Sequence, residues 1–277
     1  MPTLSELKAH AQTIRRSIIT MLENAGSGHS GGSLGMADVF TTLYFAVAKH
    51  DPQNPEWEER DRILLSNGHI CPVLYATLAE AGYFPPDELQ TLRKLGSRLQ
   101  GHPHLGSLPG IENTSGPLGL GLSQAAGLAY GLRLDHKPNQ VFCLMSDGEH
   151  QEGQTWEAYM FAAKNKLSRL TTLIDRNNIQ IDGFTDQVMP LESLRAKIES
   201  FGWRVLEVDG HDISALLEVL QNTVQSSETP DAPPTAVICH TTPGKGVDFM
   251  ENKYEWHGKP PSHEQAAAAL RQLAERG

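Results

Sequence analysis

The sequence predicts an α/β fold, a single domain over residues 1–277 with a mainly parallel sheet and helices on both of its faces. Two observations support this prediction. Short apolar segments that read as buried strands alternate with segments of helical periodicity, which is typical of a parallel sheet covered on both sides. The 277 residues are 39% hydrophobic and 20% charged, a composition that can fill one large core and does not indicate disorder.

The chain begins with two predicted helices, followed by its first strand. Apolar residues recur at helical spacing over residues 4–22, and this amphipathic helix ends in the glycine-rich turn of residues 25–29. A second helix is predicted from residue 36 to about residue 48. Residues 62–66 form a short apolar strand that ends in Asn67-Gly68-His69.

A long irregular loop separates this part from the remaining elements. Helices are predicted over residues 72–81 and 86–95, but residues 101–122 contain too much Gly and Pro for regular structure, and such long loops in compact domains are commonly functional. The remaining predicted elements are a helix from 122 to about 134, a strand over 141–146, a helix over 154–164, strands over 170–175 and 203–208, a helix over 213–224, a strand over 235–239 and a helix from 263 to the end.

Charge and apolar patterning exclude several classes of protein. The net charge of −10 disfavours a surface that binds nucleic acid or anionic lipid, and no apolar run reaches the roughly 20 residues that cross a bilayer. The start of the chain also lacks a signal pattern, so we expect a cytoplasmic protein with no nucleic-acid or membrane partner. Cys71, Cys143 and Cys239 lie far apart in apolar stretches and are expected to be buried thiols.

Polar side chains follow two predicted neighbouring strands at the edge where parallel sheets bind ligands. Asp147 follows the strand over 141–146 and Asn177 follows the strand over 170–175, 177 − 147 = 30 residues later. Carboxylate, amide and backbone carbonyl oxygens suit Mg²⁺ or Ca²⁺. Two ordinary surface turns would give the same pattern, so these residues alone leave both interpretations open.

The stretch from Ser146-Asp147-Gly148 to Asp182-Gly183 closely resembles the thiamine diphosphate signature of transketolases, in which Gly-Asp-Gly precedes an Asn by nearly thirty residues. Ser146 departs from the usual Gly. The resemblance implies that thiamine diphosphate binds here with Mg²⁺ or Ca²⁺. It implies that Asp147, the Asn177 side chain and the Ile179 carbonyl bind the metal, and that the Gly148 amide meets the diphosphate.

Four turns that carry histidine resemble the same family. They are Ser27-Gly28-His29, residues 65–69, Gly101-His102-Pro103 with Gly116-Pro117-Leu118-Gly119, and residues 256–260. A single His after Gly is more often a solvated turn residue. Taken together, four such turns favour a site, because imidazole both moves protons and forms hydrogen bonds near pH 7.

The family resemblance also implies a role for each residue of these turns. His29 and His102 would contact the hydroxyls of the donor sugar, His69 would contact diphosphate and substrate, and His257 would contact the diphosphate and the substrate oxygen. Gly116 and Leu118 would belong to a loop whose backbone packs on the cofactor.

Four further residues near these motifs receive other interpretations. Glu152 and Glu157 would ordinarily be solvated helix carboxylates, but the resemblance implies that they line a dimer interface and link two active sites. His104 lies beside the motif and receives no role. His211 is expected near a helix start, as part of its cap.

The resemblance covers nearly all 277 residues but only the diphosphate-binding half of the enzyme. In this family the glutamate that meets the cofactor's pyrimidine comes from another domain. The resemblance therefore implies an N-terminal transketolase subunit that is active only with a partner subunit carrying the pyrimidine and C-terminal domains, assembled as α₂β₂.

The implied reaction is transfer of a two-carbon ketol group between ketose and aldose phosphates. Three alternatives remain: another thiamine-dependent ketol transferase such as deoxyxylulose-phosphate synthase, the α chain of a 2-oxo-acid dehydrogenase, and a cofactor-binding subunit that only regulates a partner. The four histidine turns disfavour the dehydrogenase, because an oxo-acid site does not need an array for sugar hydroxyls.

Overall fold

The computed structural model describes residues 2–229 and 231–275. Its central sheet has five parallel strands in the order β1-β2-β3-β7-β6, and a separate antiparallel hairpin pairs β4 with β5. The strands are β1 (Arg62–Leu65), β2 (Val141–Ser146), β3 (Leu170–Arg176), β4 (Ile179–Gln180), β5 (Gly183–Phe184), β6 (Arg204–Asp209) and β7 (Thr235–His240).

Helices precede, connect and follow the strands. They are α1 (Leu4–Ala25), α2 (Gly31–Gly35), α3 (Ala37–Thr42), α4 (Cys71–Glu80), α5 (Leu120–Leu134), α6 (Gly153–Lys164), α7 (Thr185–Val188), α8 (Leu194–Ser200), α9 (Ile213–Ser226) and α10 (His263–Glu275). Short 3₁₀ turns lie at Gly68–Ile70, Pro86–Thr91, Gly148–Gln151 and Tyr254–Trp256, and a π-helical turn lies at Leu43–Val47.

The sheet is buried on both faces, as the sequence predicts. Every residue of β2 is buried, with Phe142 and Leu144 in the core formed with α1, α3, α4, α9 and α10. Cys143 and Met145 point the other way, into a second core with α5, α6 and α8. This alternation follows from the two-residue period of a strand and confirms the three-layer α/β architecture.

The helix predicted over residues 36–48 is observed as α3 followed by the π-helical turn, and a further short helix, α2, precedes it. Glycines make the early start possible, because a Cβ on Gly35 would lie 3.0 Å from the Thr242 carbonyl oxygen and one on Gly31 would lie 3.1 Å from that of Trp256. The first segment therefore packs against the loop after β7 more closely than most side chains would allow.

The helix predicted over residues 86–95 is wrong. Only Pro86–Thr91 is helical, as 3₁₀ turns, and Arg93 takes a positive φ of 59°. The sequence analysis also missed α8 and the β4–β5 hairpin, because elements of two to seven residues carry little periodic signal. The last two residues of the predicted C-terminal helix lie outside the described residues.

The cysteines and the apolar character of the helices bear on two expectations from the sequence. Cys71, Cys143 and Cys239 are buried free thiols, as predicted. None of the helices described in residues 2–229 and 231–275 has the length and apolar character needed to span a bilayer.

Candidate cofactor site

A cavity of about 410 Å³ opens at the carboxyl ends of β2 and β3. It brings together every predicted site residue except Glu152 and Glu157. The predicted residues in its lining are His29, His69, His102, Gly116, Leu118, Asp147, Gly148, Asn177, Ile179 and His257, and five further residues complete it, Ser146, Gln151, Gln180, Ile181 and Asp182.

Three of the predicted histidines form a compact cluster. The ring centroids of His29 and His69 are 5.0 Å apart, those of His69 and His257 are 5.1 Å apart, and those of His29 and His257 are 5.6 Å apart. Gly68 allows the segment that carries His69 to pack against Ser115 and His102, since a Cβ there would collide with Ser115 and lie 3.2 Å from Cδ2 of His102. The sequence therefore needs glycine before His69 for a steric reason.

Burial keeps these imidazoles neutral. It lowers the pKa of His29 to about 4, and the neighbouring His257 and Arg93 act in the same direction. Burial is also the main cause of the lowered pKa of His69, His102 and His257. At neutral pH each ring can therefore donate one hydrogen bond and accept another, as a site for hydroxyl groups requires.

Asp147 is only 1% exposed. Together with Asn177 and Ile179 it forms what is called here the acidic side of the cavity. Its Oδ1 accepts from the Gly148 amide at 2.7 Å, and its Oδ2 accepts from the Asn178 amide at 2.8 Å and from the Arg176 guanidinium at 3.1 Å. Burial raises the pKa of Asp147 to about 6 although Arg176 opposes the rise. A nearby cation would stabilise a carboxylate as deeply buried as this one.

Asn177 and Ile179 lie in the turn beside Asp147. Nδ2 of Asn177 donates to Oδ2 of Asp175 at 2.7 Å, and the Ile179 amide donates to Oδ1 of Asn177 at 3.0 Å. Among the described residues there is no cluster of three His, Cys, Asp or Glu side chains able to hold a metal. The oxygen set of Asp147, Asn177 and the Ile179 carbonyl instead matches the ligands that a hard divalent cation prefers.

Unsatisfied polar atoms next to this cavity fit a bound cofactor. Within the described part of the chain, Nδ1 of His29, both side-chain polar atoms of Asn67 and Oγ of Ser115 are buried without a hydrogen-bond partner. Beside Gly116 and Gly148 a Cβ would meet no atom within 4 Å, so ligand space is open against both backbones. Since buried unpaired polar groups are costly, this edge has the character of a site for a polar ligand.

The sequence analysis gave no role to three charged residues at this edge. Asp175 is 1% exposed, and burial raises its pKa to about 7. Arg176 bridges Asp147 and Glu192, the latter at 2.6 Å. Glu149 is fully buried. It follows Asp147 by two residues in the same strand-end loop, and this position was the only feature of the sequence that pointed to a place at the site.

Glu152 and Glu157 lie outside the cavity, exposed at the start of α6 and along it. On the same helix Met160 is 52% exposed and Phe161 is 42% exposed, and the Phe161 ring contacts that of Tyr130 with centroids 5.6 Å apart. An apolar surface therefore lies one helical turn from Glu157 on α6. The role of both glutamates at an interface stays a prediction.

The remaining histidine interpretations concern His104 and His211. His104 is exposed and lies outside the cavity lining, in keeping with the absence of a role. His211 lies in the capping region of α9 as predicted, directly before the N-cap residue Asp212, but Asp212 makes the capping hydrogen bonds. His211 instead shares a hydrogen bond of 2.8 Å with Asp38 and accepts from the Thr242 amide at 2.7 Å, so it joins α3 to the loop after β7.

Known proteins resemble this chain along nearly its whole length. The family described as the transketolase thiamine diphosphate binding domain matches residues 7–275. The chain is 40% identical over 272 residues to the 6-deoxy-6-sulfo-D-fructose transketolase subunit SqwG of Clostridium sp. (strain MSTE9), with 98% of each chain covered. It is 38% identical over 270 residues to an apulose-4-phosphate transketolase subunit of Phocaeicola vulgatus, covering 98% of this chain and 94% of that protein.

Solved structures agree with this comparison. The crystal structure of transketolase from Campylobacter jejuni superposes with a TM-score of 0.90 at 32% identity. The match covers 99% of this chain but only 43% of that one. The chain therefore spans less than half the length of the solved transketolases that it matches.

Proposed function

The chain belongs to the transketolase N-terminal family, whose domain binds thiamine diphosphate, and from this premise we propose that it is the N-terminal subunit of a two-chain transketolase. All 277 residues would form one diphosphate-binding domain. The proposed reaction transfers a two-carbon ketol group between a ketose phosphate and an aldose phosphate. The observation that carries the proposal is the cavity itself, which gathers ten residues predicted from five separate motifs.

The acidic side of the cavity is proposed to hold the divalent metal and the diphosphate. Thiamine diphosphate, when bound, supplies the carbanion chemistry that cleavage of a ketose requires. Asp147, Asn177 and the Ile179 carbonyl would bind Mg²⁺ or Ca²⁺. The Gly148 amide, the backbone around Gly116 and Leu118, and the rings of His69 and His257 would contact the cofactor.

The histidine side of the cavity is proposed to bind the substrate. His29 and His102 would form hydrogen bonds with the hydroxyls of the donor sugar, while His69 and His257 would contact substrate oxygens as well as the cofactor. Neutral rings support these roles, because a neutral imidazole can take a proton at one nitrogen while it donates from the other. An oxo-acid substrate would leave much of this array unused.

The partner is proposed to be a second polypeptide that supplies the pyrimidine domain and a C-terminal domain. Two observations support it: the chain spans 43% of a solved transketolase, and two relatives that it matches along 98% and 94% of their length are named as transketolase subunits. Glu152, Glu157 and the exposed Met160 and Phe161 would lie at the interface of an α₂β₂ assembly.

The sugar specificity has two candidates. One is the xylulose 5-phosphate and ribose 5-phosphate pair. The other is a less common ketose, since the two relatives are named for 6-deoxy-6-sulfo-D-fructose and apulose 4-phosphate at 40% and 38% identity.

The test is a transfer assay with Mg²⁺ and thiamine diphosphate, for this chain alone and mixed with the product of the adjacent reading frame. Xylulose 5-phosphate, 6-deoxy-6-sulfo-D-fructose and apulose 4-phosphate are offered separately, each with an aldose phosphate acceptor. We expect transfer only in the mixture. Activity of the chain alone would contradict the two-chain assignment, and no transfer of any ketol group by the mixture would contradict the proposed reaction.

A further inference from the structure

We propose that Glu149 is a positioning residue, whose buried carboxylate fixes the loop over residues 116–119 against the ends of β1 and β2 and so shapes one wall of the cofactor cavity. The inference rests on the proposed function, since that loop is the segment proposed to pack on thiamine diphosphate. Glu149 touches neither cofactor nor substrate in this proposal. It acts through the backbone that it holds.

The contacts of Glu149 join three separate parts of the chain. Oε1 accepts from the Ser66 hydroxyl at the end of β1 and from the Gly119 amide at 2.8 Å. Oε2 accepts from the Ser146 amide at 2.7 Å and from the Ser146 hydroxyl at 3.3 Å. With four donors and no exposed surface, this buried carboxylate is stabilised by local hydrogen bonds.

Each of the three joined segments leads directly to the cavity. Ser66 precedes Asn67-Gly68-His69, Ser146 precedes Asp147, and Gly119 ends the loop of Gly116 and Leu118. A change in the length or direction of any of these bonds would therefore move a residue of the lining.

The end of the loop depends on Glu149 because it carries no cap of its own. Gly119 is the N-cap of α5, its φ is 79°, and no side chain of its own caps the helix. A second link runs through Ser66, whose hydroxyl accepts from the Gly121 amide at 3.1 Å. The first turn of α5 is thus tied to β1 by Glu149 and Ser66, and a carboxylate at a helix N-terminus also interacts favourably with the helix dipole.

A buried carboxylate at the opposite edge of the sheet provides a matched control. Asp61 is 5% exposed and lies just before β1. It accepts from the amides of Lys49 and Gln140, each at 2.8 Å. It resembles Glu149 in burial and in backbone donors, but neither it nor these two partners line the cavity.

The test compares Glu149→Gln with Asp61→Asn in the full chain. Glutamine keeps the volume of Glu149, but its NH₂ group faces N–H and O–H donors and cannot accept from them. Three quantities are measured on the chain: the thermal unfolding midpoint, amide hydrogen exchange over residues 116–121 by mass spectrometry without cofactor, and the apparent Kd for thiamine diphosphate at fixed Mg²⁺. In the proposed two-chain enzyme, kcat and the KM for thiamine diphosphate are measured as well.

We expect E149Q to speed exchange over residues 116–121 and to weaken thiamine diphosphate binding about tenfold, with the loss in KM for the cofactor more than in kcat. D61N should lower the unfolding midpoint while leaving exchange at the loop and cofactor affinity within about twofold of the original chain. Ser66→Ala, which removes one donor, should give a smaller change of the same kind and serves if E149Q does not fold.

Unchanged exchange over residues 116–121 in E149Q, or in S66A if E149Q does not fold, would overturn the positioning role. An equal loss of cofactor affinity in D61N would overturn it too, because the effect would then be general destabilisation. If the original chain binds no thiamine diphosphate, alone or with its partner, the proposed function fails, and the exchange data still decide whether Glu149 holds the loop.

Discussion

The two edges of the central sheet differ in how they treat buried polar groups. At the amino edge, Asp61 accepts two backbone amides, and Nδ2 of the buried Asn139 donates to the carbonyls of Glu58 and Arg60 at 2.8 and 2.7 Å, although its Oδ1 has no partner within the described residues. At the carboxyl edge, neither side-chain atom of the equally buried Asn67 has a partner within the described residues. The fold completes more of its own hydrogen bonds at the amino edge and leaves several open at the carboxyl edge.

This difference is more informative than the shifted pKa values. Burial raises the pKa of Asp61 at the amino edge as well as that of Asp147 at the carboxyl edge. A shifted pKa therefore reports burial at both places. The number of unsatisfied buried polar atoms separates the edges better: within the described residues His29, Asn67 and Ser115 contribute four at the carboxyl edge, against Oδ1 of Asn139 at the amino edge.

Removal of one buried carboxylate from each edge of the sheet should give the largest difference in cofactor affinity. Asp147→Ala should weaken thiamine diphosphate binding by about 100-fold or more at fixed Mg²⁺, because the variant would lack one of the proposed metal ligands and leave the diphosphate charge uncompensated. Asp61→Ala should cost stability and leave the affinity within about twofold. Isothermal titration with the cofactor measures both, and an unaltered affinity in D147A would sink the metal assignment.

The next largest effect is expected within one loop. His102→Ala should lower the kcat/KM of the proposed two-chain enzyme about tenfold, since the loss of a hydrogen bond to a substrate hydroxyl costs about 1 to 1.5 kcal/mol. His104→Ala, two residues away and outside the cavity lining, should stay near the original value. Steady-state kinetics with saturating cofactor decide the matter, and equal losses in the two variants would argue against a specific role for His102.

Alanine substitutions at the start and in the middle of α5 should have smaller effects, and these concern the stability of the fold. A Cβ on Gly121 would lie 2.5 Å from Cα of Ser66, whereas one on Gly127 would meet nothing within 4 Å. Gly121→Ala should therefore destabilise the chain by about 2 kcal/mol, while Gly127→Ala should stabilise it by about 0.5 to 1 kcal/mol through helix propensity. Urea unfolding compares the two, and a stabilised G121A would show that the close approach at the site end is not enforced.

The smallest effect concerns pH. The pKa of His29 is lowered to about 4 in the fold, against an ordinary value of 6.5, so the unfolded chain binds its proton first. Its contribution to stability is complete above about pH 6.5 and is lost as the pH falls toward 4. Relative to His29→Asn, the original chain should lose about 1 kcal/mol more over that range, allowing for partial exposure.

Urea unfolding at several pH values between 4 and 7 measures this difference. His104→Asn is the matched control, since its side chain is exposed. An equal change of slope in that variant would contradict an explanation based on burial.

The sequence predicted the cavity better than it predicted the local elements. Asp147 and Asn177 could be placed together because both follow predicted parallel strands, and such strands end at a common edge. The role of Glu149 could not be predicted, because its partners Ser66 and Gly119 lie 83 and 30 residues away along the chain. The helix predicted over residues 86–95 was wrong for a related reason: helix propensity does not reveal where tertiary contacts stop a helix.

The ion pair between Arg176 and Asp147 bears on how the cofactor site is formed. Arg176 and two backbone amides hold the Asp147 carboxylate in place through the protein's own contacts, and Glu192 anchors Arg176 from the far side. A preformed receptor loses little ordering entropy when its ligand arrives. The Asp147 side of the site is therefore formed by contacts within this chain, and binding of the cofactor should require little further ordering there.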